Sequence, residues 1–193
     1  MTRFDDAFEP IAVATRSGYD ESLYHGAAVG IDVDGAMIAG VGDPSVVVYP
    51  RSSLKPLQAT AMVGCGLAVP AELLALVCAS HDGTPKHLDV VRRLLSTVGL
   101  DESALQNTPT YPLAEDARAE MVRRGEGPTA LHQNCSGKHA GMLVTCKVNG
   151  WPIEDYLDPA HPLQEAITAS IERHGAPVAH IGIDGCGAPT HAI

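Results

Sequence analysis

The spacing of the apolar residues changes once, at Pro50, and that change limits what the chain can become. Upstream, "HGAAVGIDVDGAMIAGVGD" (25–43) sets two small-residue runs on either side of Asp34-Gly35, a pair suited to a tight hairpin turn. "SVVVYP" (45–50) adds a short β-branched run that Pro50 closes. Downstream, from Lys55 to about Leu67, apolar residues recur at helical spacing and Gly66 supplies a stop. Strands leading into helices within one chain give an α/β fold class.

Helical signals dominate the remainder of the chain. "VPAELLALVCA" (69–79) opens on Pro70, and Thr84-Pro85 reads as the N-cap and first residue of an amphipathic helix that Gly99 ends. "LAEDARAEMVRRG" (113–125) carries acids early and arginines late, matching the helix macrodipole. "SGKHAGMLVTCKVNG" (136–150) is small or apolar nearly all round, so it is expected to be buried. "HPLQEAITASIERHG" (161–175) is amphipathic again, and "VAHIGIDGCG" reads as a strand running into a glycine-rich turn. The closing "GAPTHAI" offers no evident closing element, so the chain is expected to be the N-terminal part of a longer architecture, organised as one domain over 1–193.

Charge and cysteine usage narrow the partners. Thirteen Lys and Arg against 23 Asp and Glu leave a net charge of −10, which argues against nucleic-acid backbones and anionic lipid surfaces, since both need clustered cations. No apolar run is long enough to cross a bilayer, and no leader-like segment precedes the first hairpin. The five cysteines are odd in number and lack paired spacing, which favours a soluble chain in a reducing compartment, the cytoplasm. Aromatic residues make up only 4%, so Ala, Val, Leu and Ile must build the core.

Three clusters carry candidate chemistry. In "RSSLKPLQA" (51–59), Ser52 and Lys55 are three residues apart and share a helix face. Pro56 forces the helix to begin close to Lys55, so both side chains sit at its N-terminus. There the macrodipole favours a developing oxyanion and disfavours an ammonium, as a serine activated by a neutral amine requires. Taken alone, S-x-x-K is short and common, and a capping serine beside a solvated lysine explains it better. Ser80 and His81, in "CASHDGTPKH", read alone as a capping turn before a helix. "NCSGKHAGM" gathers Cys135, Lys138 and His139, and "DGCG" offers Asp184 and Cys186; two cysteines with nearby donors could close a tetrahedral metal site, although buried apolar thiols are the ordinary alternative. Cys65, Cys78 and Cys146 fall in apolar helical runs and take that ordinary reading, while His161 and His174 read as structural.

Taken in order, "RSG…ES…HG" (16–26), "RSSLKPLQA", "SHDG" (80–83), "NCSGKHAGML" (134–143), "DPAHPLQ" (158–164) and "DGCGAP" (184–189) resemble the L-asparaginase II family of the thermolabile, rhizobial type. The resemblance runs from about Arg16 to the last residue. It implies a serine-β-lactamase-like fold, a mixed sheet with flanking helices, and hydrolysis of L-asparagine to aspartate and ammonia. It implies two Ser-Lys tandems, with Ser52 and Lys55 as the first and Ser80 as the serine of the second. It also implies a zinc site at Cys135, Lys138 and Cys186 that assists substrate binding. Arg51, His139 and Asp184 lie in or beside matched motifs as substrate contacts, and a homodimer follows by analogy. The chain departs from the family at Thr84, where glutamate is usual, and the lysine of the second tandem falls outside these residues. The alternatives are a catalytically incomplete fragment that binds zinc or dimerises, and a penicillin-recognising Ser-Lys acyl hydrolase, whose S-D-N-like and K-T-G-like triplets are not found.

Overall fold

The computed structural model describes residues 6–193. The chain divides into two compact units, Met1–Val48 and Tyr49–Ile193. It is a mixed α/β protein whose described strands form three two-stranded antiparallel sheets, not one continuous sheet.

The first unit holds two hairpins. Strands β1 (Glu9–Arg16) and β2 (Tyr19–Gly26) pair antiparallel and turn through Ser17 and Gly18, both with positive φ. Two consecutive left-handed residues give the twist that tight hairpins need. This hairpin was not expected from the sequence; its signal was the Ser-Gly pair, which is weaker than Asp-Gly. Strands β3 (Ala28–Ile31) and β4 (Met37–Val41) form the expected second hairpin. Asp32 shapes its loop by accepting from the backbone N–H groups of Asp34 and Ala36, and Gly35 takes the left-handed position at φ 83°. The β-branched run at 45–50, expected to be extended strand, forms none; among the described residues no strand pairs with it, and pairing rather than propensity makes a strand.

The second unit is built around a buried helix. A 3-10 turn at Arg51–Leu54 leads directly into α1 (Lys55–Gly64). Helices α2 (Ala71–Val77), α3 (Pro85–Ser96), α4 (Glu115–Arg123), α5 (Ser136–Asn149) and α6 (Pro162–His174) follow. Helix α5 packs on α1, α2, α3 and α6, and every residue from Ser136 to Cys146 is buried, as its all-round apolar pattern requires. Met62, Val77, Leu94, Leu95, Met142, Leu143, Ile167 and Ile171 fill the core around it. Cys146 belongs to this core, while Cys65 and Cys78 are partly exposed. His161 caps α6 by accepting from the Leu163 N–H, and His174 bonds within the same helix, so both are structural.

The last segment holds a strand that its sequence pattern did not announce: within "GAPTHAI", β6 (Pro189–Ala192) pairs antiparallel with β5 (His180–Ile183). The turn between them is closed by Asp184, whose carboxylate accepts from the N–H groups of Cys186 and Ala188, with Gly187 at φ 86°. Sequence pattern missed β6 because it is four residues long and opens on proline.

Two glycines let α5 approach α2. A Cβ at Gly137 would lie 2.7 Å from the Leu76 carbonyl oxygen, and one at Gly141 would lie 2.8 Å from a Val77 methyl. The Leu76 carbonyl is backbone and cannot swing away. Gly137→Ala is therefore expected to lower unfolding free energy by roughly 1–3 kcal/mol despite alanine's better helix propensity. Urea unfolding checks this, and a variant as stable as wild type would show that α5 and α2 are not held this closely.

Candidate functional site

Helix α1 starts where Pro56 allows it, at Lys55, and the preceding 3-10 turn carries Ser52. The Lys55 backbone N–H bonds the Ser52 carbonyl, which fixes the two residues on one continuous turn. Lys55 is 2% exposed, an unusual position for an amine. Its Nζ lies 2.6 Å from the Ala79 carbonyl and 2.8 Å from Ser80 Oγ, and Ser80 Oγ lies 3.0 Å from Ser52 Oγ. The three groups thus form a chain, Lys55 to Ser80 to Ser52. Hydroxyl protons rotate to suit their partners, so the chain can carry a proton in either direction. Burial pushes the Lys55 amine below its ordinary range, partly offset by the neighbouring Cys135 sulfur.

Ser52 and Lys55 line a cavity of about 260 Å³ with Arg51, Cys135, Lys138, Asp184 and Cys186. Arg51 is held at φ 55°, a left-handed conformation that costs a non-glycine residue roughly 1–3 kcal/mol. Ser80 is not among the lining residues; it reaches the cavity through its bonds to Ser52 and Lys55.

Opposite Ser52, the turn of the β5–β6 hairpin meets the N-terminus of α5. Cys135 and Cys186 are buried against each other. The Cys186 side chain holds the Cys135 thiol well below its ordinary value, and the same contact, with burial, pushes Cys186 up; the Cys186 thiol donates to Asp184 Oδ1 at 2.8 Å. Lys138 Nζ lies 3.3 Å from Asp184 Oδ2 and 3.4 Å from Cys186 Sγ. Burial opposes a charge on Lys138, but the surrounding sulfur and carboxylate outweigh it and keep the amine protonated. Burial likewise opposes a charge on Asp184, and the Lys138 ammonium with the donors around the carboxylate more than offsets it. Among the described residues, no group of three or more His, Cys, Asp and Glu side chains is arranged to hold a metal ion. The donors that converge are two sulfurs and the lysine amine, and the amine can bind a metal only after giving up its proton.

His139 stands one layer back. It is fully buried, bonds Tyr156 Oη at 2.9 Å through Nδ1 and meets Cys186 Sγ at 3.2 Å through Nε2, and it does not line the cavity. Gln58, Gln133, Asn134 and Thr190 do line it and were not singled out by sequence. Gln58 carried a signal, since it lies three residues beyond Lys55 on the same helix face. Thr190 carried none, because strand pairing alone brings it there.

His81 joins the two loops that carry Ser80 and Cys135. Its backbone N–H bonds the Asn134 carbonyl, its Nδ1 accepts from the Gly83 N–H, and its Nε2 lies 2.9 Å from Ser136 Oγ. Ser136 Oγ donates to the Leu131 carbonyl, so Nε2 must carry the ring proton and donate. Thr84 occupies the N-cap position of α3, but its hydroxyl pairs with His87 Nδ1 at 2.9 Å instead of capping the helix.

Burial, followed by the nearby His87 and Lys55, pushes His81 from an ordinary 6.5 down to about 4. Between those values the unfolded chain takes up a proton that the folded chain refuses. Stability from this group is therefore intact above 6.5 and lost as pH falls towards 4. Urea midpoints between pH 7 and 4 should fall less steeply in His81→Gln than in wild type; parallel profiles would mean that the ring titrates normally.

A family model described as L-asparaginase II matches residues 12–193. No curated protein matches the chain. No helix among the described residues is long and apolar enough to cross a membrane.

Proposed function

Because the chain belongs to the L-asparaginase II family, we propose that it hydrolyses the side-chain amide of L-asparagine, with Ser52 as nucleophile and Lys55 as base. The observation that carries this reading is the hydrogen-bonded chain from Lys55 Nζ through Ser80 Oγ to Ser52 Oγ, at the wall of a small cavity. A serine hydroxyl needs a partner to take its proton at neutral pH, and an amine does so only when uncharged. Burial of Lys55 lowers the cost of that neutral form.

In this mechanism Ser52 Oγ attacks the carboxamide carbon while its proton passes to Ser80, whose own proton passes to Lys55 Nζ. Ser52 is favoured over Ser80 as nucleophile because Ser52 lines the cavity. The protonated Lys55 returns its proton through Ser80 to the leaving nitrogen. Ammonia departs and leaves an ester on Ser52, and water, deprotonated by the same chain, releases aspartate. One lysine thereby serves both serines. Arg51 supplies positive charge for the substrate's carboxylate and Asp184 negative charge for its ammonium, while His139 acts from behind Cys186 by holding that sulfur in place.

Cys135, Cys186 and Lys138 are the residues that would hold a zinc ion, and bound there it would supply charge that helps anchor the substrate. The family reading also carries the serine-β-lactamase-like architecture, residues 1–193 as one domain of it, a homodimer and a cytoplasmic location.

Ammonia release from L-asparagine tests the reaction. Lys55→Met and Ser52→Ala are each expected to lower the rate by about 10²–10⁴-fold, the contribution of a positioned base and its nucleophile. A covalent adduct that persists by mass spectrometry in Ser52→Ala would reassign the nucleophile to Ser80. Zinc should co-purify with the protein and be lost in Cys135→Ala and Cys186→Ala; metal-free wild-type protein would return both thiols to a packing role.

A further inference from the structure

Most polar groups around the cavity are already engaged. Lys138 is paired with Asp184, and Lys55 with Ala79 and Ser80. Gln133 accepts from the Cys135 N–H and from Asn107, and donates to Asn134. Two neutral side chains are different. Gln58 is 4% exposed and Thr190 is 8% exposed, both line the cavity, and neither side chain makes a hydrogen bond with another described residue. The polar atoms of both are not among the sealed, unpartnered ones, so they keep access to the cavity and are free to bond something that enters it.

We infer that Gln58, seconded by Thr190, is a substrate-binding residue that reads an uncharged carboxamide and distinguishes it from a carboxylate. This rests on the amide-hydrolysis reading above and adds the origin of selectivity between substrate and product. Ser52, Lys55 and Gln58 follow one another at three-residue intervals along one face, so Gln58 lies beside the reacting chain rather than at the charged pair. Thr190 comes from β6, from a different wall. A glutamine amide presents one donor group and one acceptor in a single plane. A carboxamide offers the complementary pair and satisfies both. A carboxylate has no proton to give, so it leaves Gln58 Oε1 unpaired and faces that oxygen with like charge. The Thr190 hydroxyl turns to suit either group and supplies a second point of attachment. The hydrolysis product is thus held less firmly than the substrate, which favours release.

Titration calorimetry on the Ser52→Ala protein, which should not turn over, tests this with L-asparagine and L-aspartate as the two probes. Adding Gln58→Leu is expected to weaken asparagine binding about tenfold, as loss of a hydrogen-bond pair worth about 1.4 kcal/mol requires, and aspartate binding less than about threefold. Equal weakening of both, or no weakening of asparagine, overturns the role of Gln58 and leaves the amide-hydrolysis reading standing. If Ser52→Ala binds neither ligand, the functional reading and this inference fall together. Thermal midpoints confirm folding, and Gln58→Met, unbranched and similar in volume, carries the same expectation should the leucine variant fail to fold.

Discussion

A single buried amine organises the second unit's site. Lys55 Nζ reaches from the first residue of α1 to the Ala79 carbonyl and the Ser80 hydroxyl, tying the helix to the loop after α2. That loop is fastened in turn by His81 to the segment carrying Cys135. The lysine thus gives the loop after α2 a direct polar tie to the start of α1, where the two serine hydroxyls lie 3.0 Å apart. The same burial that makes Lys55 a joint makes its uncharged form accessible. Structure and proposed chemistry therefore draw on one desolvation cost.

The opposite wall solves a related problem with opposite charges. Lys138 is buried but stays protonated, because Asp184 and the sulfurs surround it. Asp184 is held in turn by the tight β5–β6 turn, accepting two backbone N–H groups. Two lysines within one cavity thus have opposite tendencies, set by their neighbours and not by their intrinsic basicity. Pairs of titratable groups pushed apart in this way mark sites built for proton transfer more often than ordinary cores. The neutral Gln58 and Thr190 line the same cavity.

Much of this was legible from particular residues. Pro56 located the start of α1, and the uniformly small and apolar run 136–150 announced the buried helix. Ser52, Lys55, Ser80, Cys135, Lys138, Asp184 and Cys186, singled out by motif, do converge on one cavity or touch residues that line it. His139 was misjudged in depth only: motif position gives the face of a helix, but not how many layers separate that face from solvent. The 45–50 run was misjudged because β-branched composition records a preference that only a paired neighbour can realise. Thr190 was invisible, since it arrives by register with β5.

By itself the sequence determined where helices begin and end, which stretch must be buried, and which short motifs carry reactive side chains. These are local matters, governed by proline, glycine and the repeat of apolar residues along a few turns. Only the tertiary structure decided that Lys55 bonds Ser80 while Ser80 bonds Ser52, that Cys135 and Cys186 are buried against each other, and that Gln58 lines the cavity. Those facts depend on distances between segments separated by tens of residues and on the water excluded between them. Neither quantity is written in any single stretch of chain.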